Sequence, residues 1–378
     1  MRNVSIIGIG QTPVAEHWDS GLRDLAAHAA RAALDDAGLT NVDSLIVANA
    51  FGAAISSQSH LAPLIADFAG LRGVEAYGVE VADGSGGAAL RAGYLAVASG
   101  AVETVMVLGV EKSTDMIGSA KVLARNVSLD ADDEAMHGAT LPALAALIMR
   151  RYMFEYEVDL ASFEGFSINA HTNGSKYAHA MYRNILKPGA FVKAPMIADP
   201  VNLFDSAPDG DGAAAVILTA TPTANAIRIA GSGAATDTLT LAERADLLWL
   251  QAIETSTNKA LAEAGMTRDQ INLFELHDSF TIMAALALEA AGFALRGMGW
   301  KLAQNGAIKP DGALPISTFG GLKSRGNPVG ATGVYQAVEA VMQLRGTAGA
   351  NQIANARTAM IQSVSGLGSS AFTHILSI

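Results

Sequence analysis

The chain has 378 residues, 50% of them hydrophobic and only 16% charged. That composition fits two domains or two fused halves around a large core and excludes a disordered chain. A net charge of −11 without a basic run argues against a nucleic-acid partner, and zero cysteines exclude disulfides and thiolate metal sites.

Short apolar runs alternate with longer helical patterns, an α/β rhythm. Met1-Arg2-Asn3 leads directly into Val4–Gly10, read as a buried strand; the lead is too short for a signal-peptide core. Gly21–Gly38 repeats Leu22, Leu25, Ala26, Ala29, Ala32 and Leu34 at helical spacing and stops at a glycine cap. Strands are expected over Ser44–Ala50, Ala76–Ala82, Thr104–Gly109 and Ala213–Ala220, with a helix from Ser85 to Ser99 ended by Gly100. Residues 112–210 hold most of the interruptions and read as an insertion covering a site, and Thr221–Asn225 reads as a linker. The pattern then restarts with a strand over Ala226–Gly231 and a long helix over Glu243–Gly265. A strand over Ile271–Leu276, a helix over Val334–Leu344 and a closing hairpin of Ala359–Val364 with Phe372–Ile378 follow. The expected division is therefore 1–225, with the insertion at about 112–210, and 226–378, two copies of one unit. No run of about 18 apolar residues suggests a membrane span, and the cytoplasm is the default location.

Five places could carry chemistry. Asp83 lies where a strand turns into a helix through Gly84, Gly86 and Gly87; it is either an N-cap or a catalytic carboxylate, and the turn amides favour negative charge. His277-Asp278-Ser279-Phe280 stands at a strand end, where open sheets build sites. The glycine-rich stretch Gly320–Gly333, with Asn327-Pro328 at its centre, is too long and shaped for a plain turn. Val364–Ser370 is a small-residue turn between two strands. Glu134, His137, Asn169 and His171 are polar marks in the insertion, and His137, His171 and His179 lack the close spacing of metal ligands.

Together and in this order these segments resemble the thiolase superfamily over essentially the whole chain, most of all the sterol-carrier-type and archaeal thiolases. The resemblance implies a duplicated five-layer αβαβα fold, with two mixed sheets around buried helices. It places Asp83 at the family's nucleophilic cysteine. It makes His277 the first residue of a His-Asp-x-Phe motif that helps form an oxyanion hole. It sets Gly326-Asn327-Pro328 over a Gly-His-Pro motif whose histidine activates the cysteine. Ser365-Gly366-Leu367-Gly368 resembles the closing turn that lends a backbone N–H, and Gly84 belongs to the nucleophile turn. Lys323 and Arg325 are candidates for CoA phosphates by sign alone, a solvated loop being the alternative. His137 and Asn169 fall in insertion motifs. No tightly bound cofactor is implied, and the ligand is a coenzyme A thioester. A homodimer or dimer of dimers is implied, paired near Tyr77–Val81, with a small zinc-ribbon/OB-fold acyl-CoA-binding protein as a further partner.

Asp83 and Asn327 replace the nucleophile and its base together, groups that lose value jointly. Donors that steady an oxyanion survive, each worth about 2.7–4 kcal/mol in a dry site. The expected function is therefore aldolase-like cleavage or formation of a carbon–carbon bond beside an acyl-CoA thioester, without an acyl-enzyme. Asp83 or His277 would move the proton. The alternatives are acetyl-CoA acetyltransferase activity by an atypical route, and a non-catalytic acyl-CoA-binding or scaffold subunit.

Overall fold

A computed structural model describes residues 2–378. Nine strands form one mixed sheet: β1 (Ser5–Gln11), β2 (Ser44–Ala48), β3 (Glu75–Val79), β4 (Thr104–Glu111), β5 (Gly212–Thr219), β6 (Ile227–Thr236), β7 (Leu273–Glu275), β8 (Thr358–Ser365) and β9 (Ser370–Ser377), in the order β3-β2-β4-β5-β1-β6-β9-β8-β7. The helices that build the layers are α1 (Leu22–Ala37), α2 (Leu61–Ala69), α3 (Ser85–Ser99), α4 (Gly118–Arg125), α5 (Leu141–Tyr156), α6 (Glu164–Gly174), α7 (Gln251–Ala264), α8 (Thr281–Ala290) and α9 (Thr332–Leu344). Shorter helical turns and a two-stranded ladder lie between them.

Strand alternation sorts the side chains into layers. Ile7, Leu45, Val47, Met106 and Leu108 face an outer layer of α1 and α2. Ile6, Ile46, Val105 and Val107 face the opposite way, onto α3 and α9. Those two helices also receive Ile229, Ile361 and Leu376 from the second half of the sheet, whose other face packs on α7 and α8. Five layers result, helix–strand–helix–strand–helix. The two expected sheets meet edge to edge, because β1 and β6 pair through Ser5–Arg228 and Ile6–Ile227. No helix among the described residues is long and apolar enough to cross a membrane.

The middle helices touch backbone to backbone. A Cβ added at Gly86 would come within 2.7 Å of Gly333 N, and one at Gly333 within 2.3 Å of Gly87 N. Only glycine fits at that crossing.

Two expectations need correction. The helix read over Glu243–Gly265 begins only at Gln251. Residues 244–250 are irregular, held by Arg244, whose Nη1 donates to Leu367 O at 2.9 Å, and by Asp246, which pairs with Arg296. Tertiary contacts there overrode a helical sequence pattern. The strand read over Ala76–Ala82 ends at Val79, and residues 80–83 form the turn instead.

His374 on β9 is fully buried. One ring nitrogen lies 3.1 Å from Gly87 O, and Nδ1 has no partner. Burial drives its pKa down to about 4. The native state thus refuses a proton that the unfolded chain accepts near pH 6.5, so stability is present above that pH and lost as pH falls toward 4. Relative to a His374→Gln variant, the parent should lose about 2 kcal/mol more stability between pH 7 and pH 5, read from denaturant melts at the two pH values.

Candidate active site

The turn at Asp83 is built by its neighbours' hydroxyls. Ser85 Oγ accepts from Val81 N at 2.8 Å and donates to Ala82 O at 2.6 Å. Ser365 Oγ donates to Val81 O at 2.6 Å, tying the closing turn to this one. A Cβ at Gly84 would lie 2.4 Å from that hydroxyl, so the close approach requires glycine. Ala82 is held at φ +45°, a region that costs a non-glycine residue about 1–3 kcal/mol and collects at functional turns.

Asp83 is 2% exposed. It is not the helix cap: α3 has Gly84 at the N-cap position and no side-chain cap. Nor is Gly84 N–H free for an oxyanion, since it donates to Val81 O at 2.9 Å. The Asp83 carboxylate faces Arg125 at the end of α4, with Nη2 3.6 Å from Oδ1, while Oδ2 has no partner.

Arg125 also pairs with Asp209 and lies over the Phe51 ring, 5.0 Å from its centroid. Lys121 meets Asp209 at 2.8 Å. Burial pushes the Asp209 carboxyl up, but Arg125 and Lys121 outweigh it and hold it below the usual range. Beneath them, Glu111 accepts from the amides of Ala50, Phe51 and Gly330. Burial nonetheless raises it to about 7.

Asn327 is clamped by the end of the insertion. Its N–H donates to Pro208 O at 2.9 Å and its carbonyl accepts from Gly210 N at 3.1 Å. Its Oδ1 accepts from Val329 N at 3.1 Å and Thr332 Oγ1 at 2.7 Å, which leaves the amide Nδ2 for the cavity that Asn327 lines. An amide held this way donates and cannot act as a base.

His277 is 2% exposed and neither ring nitrogen has a partner. Burial lowers its pKa, with Asp83 and Asp278 pulling the other way. Asp278 is occupied with Leu322 N at 2.8 Å and Ser317 Oγ at 3.2 Å, so it shapes the loop rather than orienting the imidazole.

Asp83, Arg125, Asn327, Ser279 and Gly366 line one cavity of about 350 Å³, roofed by Lys121, Thr140, Leu141, Pro142 and Ile197 from the insertion. Ser279 Oγ is buried without a partner, and Gly366, at φ +53°, has no acceptor for its N–H among the described residues.

Four expected site residues lie elsewhere. Arg325 is buried in the core, its Nη1 2.8 Å from Glu339 Oε2, and cannot reach a phosphate. Lys323 is equally buried, lining a second cavity, so neither belongs to a solvated loop. His137 is exposed and lines none of these cavities. Asn169 donates to Ile316 O at 3.1 Å and ties α6 to the loop before Thr318. Arg125, Lys121 and Asp209 were not singled out in the sequence; two basic residues one turn apart are indistinguishable there from a solvated helix face.

The layered fold, the turn at Asp83 and the loop at Asn327 define a thiolase-type protein. Residues 4–188 match the family model "Thiolase, N-terminal domain" and residues 233–378 match "Thiolase C-terminal domain-like". The chain belongs to the thiolase family. It is 38% identical over 388 residues to acetyl-CoA acetyltransferase of Methanothermobacter thermautotrophicus, covering 100% of both chains. It is 26% identical to sterol carrier protein 2 of Homo sapiens, covering 95% of this chain and 69% of that protein. Its fold is similar to that of a solved "Ltp2-ChsH2(DUF35) aldolase" (TM-score 0.85, 23% identity, covering 99% and 97% of the two chains). It is also similar to that of human mitochondrial 3-ketoacyl-CoA thiolase in complex with CoA (TM-score 0.76, 17% identity, 100% and 98%).

Proposed function

We propose that this protein binds acyl-CoA thioesters and breaks or makes a carbon–carbon bond beside the carbonyl without forming an acyl-enzyme. The observation that carries this is the Asp83 carboxylate: it stands at the nucleophile turn with one oxygen unpartnered, against a cavity lined by hydrogen-bond donors. A carboxylate attacking a thioester would give a mixed anhydride, which hydrolyses, so thiolysis is a poor fit to this site.

In the cleavage direction the substrate is a β-hydroxyacyl-CoA. A base takes the hydroxyl proton, the Cα–Cβ bond breaks and its electron pair passes to Cα. The β-carbon leaves as an aldehyde or ketone, and the thioester enolate is reprotonated at Cα. Asp83 and His277 are the groups for the two proton movements; the lowered pKa of His277 keeps it neutral and able to accept. The Asn327 amide and the Gly366 N–H are the donors for the enolate oxygen. The aldolase name of a structural neighbour supports this reading, and its DUF35 component supports a second protein as partner.

The Arg125–Asp83 contact favours a second reading, an inert paired carboxylate in an acyl-CoA-binding subunit. Incubation with β-hydroxyacyl-CoA separates the two: release of the carbonyl product with equimolar shortened acyl-CoA is expected. Cleavage of a β-ketoacyl-CoA by added free CoA, assayed alongside, would mean thiolysis, and acyl-CoA binding without product from either substrate would leave the binding subunit.

A further inference from the structure

Lys323 is 3% exposed, and its Nζ donates to Asp205 O. An ammonium has three donors. It forms no salt bridge among the described residues, because both nearby carboxylates are occupied. Asp205 bonds Thr281 and Asn202 N, and Asp278 bonds Leu322 N and Ser317. Burial lowers the Lys323 pKa to about 8, against the pull of Asp278 and Asp205. Neither carboxylate bonds the ammonium, so two of its three N–H donors have no acceptor among the described residues and are left for one in the cavity.

Lys323 lines a cavity of about 500 Å³ whose other walls include Phe204, Leu203, Ile185 and His171. His171 Nδ1 is taken up with Asn184 O at 3.1 Å, and burial lowers its pKa, so it adds no charge. This cavity shares Ile197, Ser206 and Ala207 with the one at Asp83. The two adjoin, and Lys323 is the one cationic side chain in the second, set among Phe204, Leu203 and Ile185.

We propose that the second cavity is the subsite for the far end of the acyl chain, and that it takes a chain ending in a carboxylate, held by Lys323. This rests on the acyl-CoA reading above. The apolar walls suit the methylene chain, and Lys323 supplies the charge-assisted hydrogen bond.

Calorimetric titration of the intact protein tests it. Succinyl-, adipoyl- and suberoyl-CoA are compared with butyryl-, hexanoyl- and octanoyl-CoA. At one chain length the carboxylated ligand should bind about ten- to hundredfold tighter than its methyl-ended partner. Lys323→Met should abolish that preference and Lys323→Arg should keep part of it. The wild-type comparison stands even if the methionine variant does not fold. Equal or weaker binding of the carboxylated ligands at every length overturns the subsite and leaves acyl-CoA binding intact. A preference that survives in a folded methionine variant overturns the role of Lys323. Binding of neither series removes both readings.

Discussion

Asparagine at position 83 is expected to slow β-hydroxyacyl-CoA cleavage by about 10²–10⁴-fold, the usual worth of a positioned proton-transfer group. The substitution keeps the volume of a buried side chain and removes only its charge and its proton-accepting oxygen. Arg125 retains Asp209 and the Phe51 ring, so the walls of the cavity hold. The loss should therefore fall on kcat, with KM changing little, since the carboxylate acts on a proton in flight and not on the bound thioester. Steady-state rates for the parent and the variant, with acyl-CoA binding measured alongside, check it. An unchanged rate would mean that Asp83 serves only as the counter-ion of Arg125.

The second large effect is on stability. Replacing Arg325 with methionine should cost about 3–5 kcal/mol, because it strands Glu339 in the core. The pair is closed to solvent on both sides, with side chains 1% and 0% exposed. The guanidinium also lies over the Tyr335 ring, 5.1 Å from its centroid. Burial pushes the Glu339 carboxyl up and Arg325 pulls it back, so without the guanidinium nothing offsets that burial. A double variant, Arg325→Met with Glu339→Leu, should recover most of the loss, since matched apolar side chains replace a buried ion pair at little cost. Chemical denaturation of the two single variants and the double variant completes the cycle. Equal costs in the single and double variants would show that volume, not charge, dominates.

Much of the fold was legible because its signals are local. Helices α1 and α3 end at Gly38 and Gly100, both in the left-handed conformation that glycine adopts freely. The strand alternation that separates Ile6 from Ile7 is written residue by residue. A motif order spanning the chain pointed to Asp83, Asn327 and Gly366, which line one cavity, and to His277, which is buried but not part of that lining. Arg125 was not, because its partners Asp83 and Asp209 are far away in sequence and meet it only when the insertion folds over the sheet. Lys323 and Arg325 misled for the same reason: a charged pair in a glycine-rich loop reads as solvated, and only the loop's burial against α6 and α9 reverses that. Helix propensity before Gln251 misled because long-range bonds from Arg244 compete with it.

The contact between Gly86 and Gly333 has a consequence for how this molecule tolerates change. Each of the two helices begins a few residues beyond a site loop, α3 after Asp83 and α9 after Asn327. The spacing of those two side chains is thus set by main chain meeting main chain deep in the interior, not by the loops that carry them. Sequence is rigidly constrained at the crossing itself, where no side chain beyond glycine fits. Exchanging the side chain at position 83 or 327 leaves this crossing in place, so the distance between the two loops outlasts a change in what they present.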